Sequence, residues 1–190
     1  MMQSDKTWEY QGYLMRSSRI EDMEEYYIQG FCRQDDEGIR MTGSKNHYTK
    51  EEVTTYFQNC LHDPNRYDFL IFAPDGTMIG ESVINEIDWE SRSANFRIYL
   101  FSPTMRGKGI GFWAICKTRD FAFESLHLHR LSLNVFAFNE HAYKAYLKAG
   151  YREEGRLRDA IWDKTQYADD ILMSILEDEW KESHNSDTQS

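Results

Sequence analysis

Short runs of apolar and β-branched residues predict the strands of a sheet. Residues 67–73 and 77–87 are two such runs, and Pro74-Asp75-Gly76 between them has the composition of a tight hairpin turn. Residues 95–101 follow closely enough to form a third antiparallel partner. Further strands are predicted at 12–17, 130–136, 151–155 and 167–176.

Capping signals and helical spacing predict the helices. Ser18-x-x-Glu21 is a capping box that begins a helix of about ten residues, and Thr49-x-x-Glu52 is a second capping box that begins another helix. We expect these two helices and the polar loop at 33–48 to form a movable flap. A longer helix is predicted at 107–125, and Asn139 is expected to cap a short helix that Gly150 ends.

The stretch at 99–111, Tyr-Leu-Phe-Ser-Pro-Thr-Met-Arg-Gly-Lys-Gly-Ile-Gly, combines a strand, a glycine-rich turn and a helix start. The first amides of a helix lack intrahelical acceptors and lie at the positive end of its dipole, so this turn predicts a site for a phosphorylated ligand. The glycine spacing fits neither a dinucleotide fingerprint nor a nucleoside-triphosphate loop. The alternative is a turn that only packs.

Composition bounds the functional classes. The chain has 190 residues, 41% of them hydrophobic, and a formal net charge of -10. We expect one domain at 1–180 and a disordered polar tail at 181–190. An acidic surface disfavours nucleic acid and favours a cationic partner, although each acidic cluster is also explained as a solvated face. With no basic leader and no apolar run of membrane length, we expect a cytoplasmic protein that binds no membrane.

Metal and disulfide chemistry are not indicated. Cys32, Cys60 and Cys116 are odd in number and far apart, which suits buried thiols in a reducing compartment. His127 and His129 flank one leucine without a partnering cysteine pair, so we expect a surface pair and no metal.

Four motifs together resemble the GNAT superfamily of N-acetyltransferases, in the branch of ribosomal-protein alanine and spermidine acetyltransferases. The turn contains Arg106-x-x-Gly109-x-Gly111, similar to the family's pyrophosphate-binding motif. Residues 139–151 are similar to the branch pattern Asn-x-x-Ala-x-x-x-Tyr-x-x-x-Gly-Phe, with Tyr151 at its last position. The other two motifs are a flap segment, at 41–44 and 48–53, and a final hairpin, Glu154-Gly-Arg-Leu157 with Tyr167.

This resemblance covers nearly the whole chain and implies the fold. We expect an α/β (α+β) GNAT fold, with a mixed, mostly antiparallel sheet of six to seven strands flanked by about four helices and splayed at the CoA site. One more residue than usual precedes Pro103, and we expect a β-bulge to absorb it.

The resemblance also implies acetyl-CoA as cosubstrate. Amides of the turn would hold the pyrophosphate, the strand end at 100–102 would pair with the pantetheine and supply the oxyanion donor, and the Asn139 side chain would contact the pantetheine. The implied cosubstrate-binding residues are Leu100, Phe101, Ser102, Arg106, Gly107, Lys108, Gly109, Ile110, Gly111 and Asn139.

Two catalytic residues are expected. The resemblance implies that Tyr146 is the general acid toward the CoA sulfur, the alternative being a packing role. Glu86 resembles the acidic residue of this strand in the branch and is the candidate base, with Glu81 as second choice. Glu86 is also explained as a carboxylate that is solvated or paired with Arg97.

The expected activity is transfer of an acetyl group from acetyl-CoA to a primary amine, on a cationic small molecule such as a polyamine or on a protein N-terminus. An acyl-CoA-binding or polyamine-sensing module without turnover is one alternative, and an aminoglycoside-type acetyltransferase is another. A homodimer is a further possibility, since dimers are frequent in the family.

Overall fold

The computed structural model describes residues 5–32, 36–43, 45 and 47–187. These residues contain eight strands and six α-helices. The strands are β1 (Thr7–Tyr10), β2 (Tyr13–Ser17), β3 (Tyr67–Phe72), β4 (Met78–Asp88), β5 (Ser93–Leu100), β6 (Arg130–Phe136), β7 (Arg152–Asp163) and β8 (Gln166–Leu176). The helices are α1 (Met23–Gly30), α2 (Asp36–Thr42), α3 (Lys50–His62), α4 (Ile110–Glu124), α5 (Glu140–Lys148) and α6 (Glu177–Asp187).

The sheet is mixed, and its strand order is β1-β2-β3-β4-β5-β6-β8-β7. The pairs β1/β2, β2/β3, β3/β4, β6/β8 and β7/β8 are antiparallel. β5 and β6 are parallel and pair over three positions, Ser93 to Asn95 against Arg130 to Ser132. The predicted fold class is confirmed, with eight strands instead of six to seven and, in the described residues, six helices instead of about four.

The chain divides into two compact units. The first spans Met1–Asn85 and Arg97–Ala114, and the second spans Glu86–Phe96 and Ile115–Ser190. One domain at 1–180 therefore stays a prediction.

The first unit has an aromatic core beneath α1 and α3. Phe101 lies against Gly30, where a Cβ would stand 3.3 Å from the Phe101 ring. The capping box of α3 is confirmed, because the Thr49 amide donates to Glu52 over 2.7 Å and the Glu52 amide donates to the Thr49 hydroxyl over 3.2 Å. The buried cluster comprises Tyr26, Val53, Phe57, Leu70, Phe72, Met78 and Phe101.

The capping box predicted at Ser18 is wrong by one residue. The Arg19 amide donates to the Asp22 carboxylate over 2.8 Å, and a 3₁₀ turn, Ile20–Asp22, leads into α1. Asp22 is preferred over Glu21 because it is buried and also accepts both guanidinium nitrogens of Arg16, at 2.7 and 2.6 Å.

Three elements were not predicted. β1 is short and polar, and a tight turn joins it to β2 through Gln11 and Gly12, both with positive φ. α2 lies within the loop at 33–48. α6 replaces the first part of the expected disordered tail, because Trp180 stacks on Phe123 with ring centroids 5.4 Å apart and donates to Asp120 over 2.9 Å. Residues 188–190 of that tail and Ser44 of the flap motif lie outside the described residues.

Two further expectations concern the cysteine residues and membrane-spanning helices. Cys60 is buried, but Cys32 is exposed, which corrects the expectation of three buried thiols. In the described part of the chain, no helix is long and apolar enough to cross a membrane.

Candidate active site

The glycine-rich turn of the first unit leads directly into α4. Gly107 and Gly109 have φ of 75° and 81°, and a Cβ at either position would meet nothing within 4 Å. These two glycines are therefore required by backbone conformation and leave open space above the turn. Gly111 differs, because it lies within α4 without a positive φ and a Cβ there would stand 3.6 Å from Leu100, an ordinary contact.

α4 begins directly after this turn. The first helical hydrogen bond runs from the Trp113 amide to the Gly109 carbonyl over 2.9 Å. The first turn of a helix lies at the positive end of its dipole, which favours an anion there. α4 begins at Ile110, three residues later than predicted, so the glycines form the approach to the helix and not its first turn.

Two cations flank the turn. Arg106 donates to the Glu37 carboxylate over 3.2 Å, and Lys108 is exposed beside the Met105 sulfur at 3.9 Å. Because the Glu37 carboxylate is largely exposed, its pair with Arg106 is screened by water and weak. A phosphate can compete with it.

The strand end before the turn has one amide already engaged. The Phe101 amide donates to the Ile79 carbonyl over 2.9 Å, and the Phe101 side chain is buried in the core. Successive amides of an extended strand point to opposite edges, so those of Leu100 and Ser102 point away from β4. The Ser102 hydroxyl lies 2.9 Å from the Thr104 hydroxyl.

Glu81 lies in the interior of the first unit with both carboxylate oxygens engaged. Tyr26 on α1 donates to Oε2 over 2.8 Å, and Arg97 on β5 lies 3.0 Å from Oε1. Arg97 therefore pairs with Glu81, whereas the sequence suggested Glu86 as an alternative partner. A carboxylate held in this way is poorly placed to take a proton from a substrate.

The pairing continues through Tyr56 to a second buried ion pair. The Tyr56 hydroxyl accepts from Arg97 over 3.0 Å and from Arg66 over 2.9 Å, and Arg66 makes a two-pronged pair with Asp68 at 2.6 and 2.8 Å. Burial raises the pKa of Tyr56 to about 12 and that of Tyr26 well above 10.0. Both phenols therefore stay protonated. The sequence gives no local signal for this network, because its members are spread over five elements and the loop before β3.

Glu86 belongs to the second unit and lies exposed near the end of β4. Its φ is 55°, in the left-handed region that residues with a Cβ adopt at a cost of about 1–2 kcal/mol. Backbone strain of this kind is common at functional sites.

Tyr146 and Asn139 lie at opposite ends of α5. The Asn139 side chain accepts from the Ala142 amide over 3.3 Å, which confirms its role as N-cap. Tyr146 is buried and packs edge-on against Phe96 and Tyr151, with ring centroids 6.3 and 5.8 Å apart. Burial raises the pKa of its hydroxyl above the ordinary value of 10.0.

Comparison with known proteins identifies the family. A family model described as acetyltransferase (GNAT) domain matches residues 13–152. The chain belongs to this family and is an acetyltransferase, so the predicted family and enzyme class are confirmed.

Two relatives of known name resemble this chain in sequence, and one solved structure resembles it in fold. Spermidine N(1)-acetyltransferase of Escherichia coli (strain K12) is 30% identical over 139 residues, 73% of this chain and 74% of that protein. The Vibrio cholerae enzyme of the same name is 29% identical over 130 residues, 68% of this chain and 75% of that protein. A crystal structure of Vibrio cholerae spermidine N-acetyltransferase in complex with CoA and spermine superposes with a TM-score of 0.80, covering 90% of this chain and 99% of that one at 24% identity. This likeness confirms the fold.

Proposed function

We propose that this acetyltransferase moves the acetyl group of acetyl-CoA to a primary amine of a polyamine. The turn supports acetyl-CoA as the cosubstrate, because Gly107 and Gly109 leave open space for a phosphate at the positive end of α4. The two spermidine acetyltransferases at 29–30% identity and the net charge of -10 support a polycationic acceptor.

The cosubstrate is held mainly by backbone groups. The pyrophosphate accepts from amides between Gly107 and Gly111, and Arg106 and Lys108 add charge-assisted contacts. The pantetheine extends along residues 100–102 as an additional strand, where the outward amide of Leu100 or Ser102 also serves as the oxyanion donor. Asn139 contacts the pantetheine in addition to capping α5.

Amine activation needs a base. An alkyl ammonium of pKa near 10.4 loses a proton at pH 7 at a cost of roughly 4.6 kcal/mol. A positioned water can carry this proton to a carboxylate, so Glu86 acts through a water relay. The neutral amine nitrogen then attacks the thioester carbonyl, and the resulting oxyanion is stabilised by the strand-end amide.

Collapse of the tetrahedral intermediate breaks the C–S bond and restores the carbonyl. The nitrogen, which became cationic on attack, releases a proton to water, and the departing sulfur takes up a proton while the Tyr146 hydroxyl is hydrogen-bonded to it, leaving an amide and CoA thiol. A phenol is a weaker acid than a thiol by about 1.5 pKa units, and burial raises the pKa of Tyr146 further. Tyr146 therefore acts chiefly through a hydrogen bond that strengthens as thiolate charge develops.

We also infer that the chain self-associates. Trp162 and Tyr167 form an exposed aromatic pair on the β7–β8 hairpin, with ring centroids 4.9 Å apart. A structure of the Vibrio cholerae spermidine N-acetyltransferase is described as dodecameric. Sedimentation equilibrium tests the inference, and a strictly monomeric chain at micromolar concentration contradicts it.

The activity is tested by thiol release from acetyl-CoA over an amine panel. The panel contains spermidine, spermine, a peptide with a free N-terminal alanine and an aminoglycoside. We expect turnover with the polyamines, and a fall in kcat of about 100-fold or more for Tyr146→Phe, within the range of general acid–base contributions. Turnover with the peptide or the aminoglycoside alone would reject the acceptor, and no thiol release with any amine would reject the activity.

A further inference from the structure

The end of α5 places a second tyrosine against Tyr146. Gly150 has φ of 92°, its amide donates to the Leu147 carbonyl over 3.0 Å, and the Tyr151 amide donates to the Tyr146 carbonyl over 3.0 Å. This is the Schellman arrangement, in which a left-handed glycine folds the chain back and brings the residue after it onto the last turn of the helix. Gly150 thus fixes Tyr151 beside Tyr146.

Tyr151 is buried more completely than a polar side chain normally is. It is 1% exposed, and its ring packs against those of Tyr146 and Phe96 at 5.8 and 6.2 Å between centroids. No group in the described part of the chain forms a hydrogen bond with its hydroxyl. Leaving a buried hydroxyl unpaired is unfavourable, whereas phenylalanine would fill the same space without that cost.

The unpaired hydroxyl is suited to a charge that appears only during the reaction. Burial raises its pKa well above 10.0, and the neighbouring Tyr146 raises it further, so it remains a donor. It has no existing hydrogen bond to break, and rotation about its C–O bond turns its proton without moving the ring. The Tyr146 oxygen is not hydrogen-bonded to it in the resting structure, so a bond between them forms only as the two packed rings shift during the reaction.

We infer that the Tyr151 hydroxyl stabilises the partial negative charge that develops on the Tyr146 oxygen as the hydrogen bond from Tyr146 to the departing CoA sulfur strengthens. Tyr151 keeps its own proton and donates only a hydrogen bond, so it is a positioning residue that acts through Tyr146. This inference rests on the proposed acetyl transfer. The Tyr151 hydroxyl thereby has a role in the reaction, although it contributes no hydrogen bond to the core.

The test compares Tyr151→Phe with wild type for turnover of acetyl-CoA and spermidine, together with thermal unfolding. Loss of a hydrogen bond to a charged oxygen predicts a fall in kcat of about tenfold or more. The KM for acetyl-CoA is expected to stay unchanged. Because the hydroxyl is unpaired in the folded protein, the melting temperature is expected to stay equal or rise. Removal of a purely structural hydroxyl would instead lower the melting temperature and leave kcat unaltered.

A double-mutant cycle shows whether the effect passes through Tyr146. In a Tyr146→Phe background, Tyr151→Phe is expected to cost nothing further. Tyr143→Phe, which removes an exposed hydroxyl that donates to Glu153 over 2.8 Å, is the matched control and is expected to keep wild-type kcat.

The kinetic results distinguish failure of the role given to Tyr151 from failure of the proposed activity. Wild-type kcat in Tyr151→Phe, or an equal loss in both backgrounds, overturns the inference and leaves the proposed function standing. No turnover by the wild-type chain with any amine overturns both.

Discussion

The hydroxyl of Tyr26 donates a hydrogen bond of 2.8 Å to the carboxylate of Glu81, 55 positions further along the chain. Tyr26 lies on α1 and Glu81 on β4, and both are buried. A buried carboxylate is tolerated only when its oxygens are paired, so this bond ties α1 to the sheet and also makes the charge of Glu81 acceptable.

Tyr26→Phe removes that donor and leaves one oxygen of a buried carboxylate unpaired. We expect a loss of roughly 2 kcal/mol in the free energy of unfolding, measured by urea denaturation, because the unpaired oxygen keeps its desolvation cost. Tyr143→Phe removes an exposed hydroxyl and is expected to cost much less. Equal losses of stability in the two variants would show that burial of the Tyr26–Glu81 hydrogen bond does not increase its contribution to the free energy of unfolding.

Gly109→Ala tests the turn as a phosphate site. Its φ of 81° costs an alanine about 1 kcal/mol, and the added methyl group meets nothing within the protein. We expect a small loss of stability but a rise in KM for acetyl-CoA of about tenfold or more, because the methyl group occupies the approach to the turn amides.

Gly76→Ala is the matched control for that substitution. Gly76 has φ of 85° in the β3–β4 hairpin turn, and a Cβ there also meets nothing within 4 Å. It therefore carries the same backbone strain away from the proposed site, and KM is expected to stay at the wild-type value. If both variants raise KM alike, strain alone is the cause and the turn is not the phosphate site.

Features encoded within a few residues could be predicted from the sequence. The Pro74-Asp75-Gly76 turn, the Thr49 capping box and the Asn139 cap each combine two or three nearby residues, and each forms as expected. Ile110, Trp113 and Ala114 recur at helical spacing within the helix predicted at 107–125, and all three are buried in α4.

Features that depend on distant partners could not be predicted. Arg97 gives no sequence signal that it pairs with Glu81 rather than Glu86, since the choice depends on which face of β4 each carboxylate occupies. β7 was predicted to end at 155 but runs to Asp163, because as an edge strand it exposes most of its side chains and lacks an apolar pattern. The expected bulge at 99–103 stays a prediction.

Glu154 gives the fold a pH dependence with a defined sign. Hydrogen bonds from Arg130 and Ser174 lower the pKa of Glu154 from 4.5 to about 2. A carboxyl whose pKa is lower in the folded state stabilises the protein above its unfolded pKa, and the stabilisation is lost as pH falls from 4.5 toward 2.

The comparison of Glu154→Gln with wild type measures this contribution. We expect the variant to be less stable in urea at pH 7, by less than 1 kcal/mol because both side chains of the pair are partly exposed to water. The difference is expected to shrink steadily below pH 4.5. A difference that is constant from pH 7 to pH 3 would show that the charge of Glu154 plays no part in it.

Gly150→Ala tests whether the end of α5 sets the position of Tyr146 and Tyr151. Its φ of 92° strains any residue with a Cβ, and the new methyl group would stand 3.1 Å from the Ile175 side chain. We expect a loss of about 2 kcal/mol in the free energy of unfolding, more than in Gly76→Ala, which carries the strain without the close contact. Because relaxation of the contact shifts the chain that carries Tyr151, kcat is expected to fall while the KM for acetyl-CoA stays within about twofold of wild type. A variant with reduced stability but wild-type kcat would show that the reaction tolerates displacement of this turn, and that Gly150 serves the fold alone.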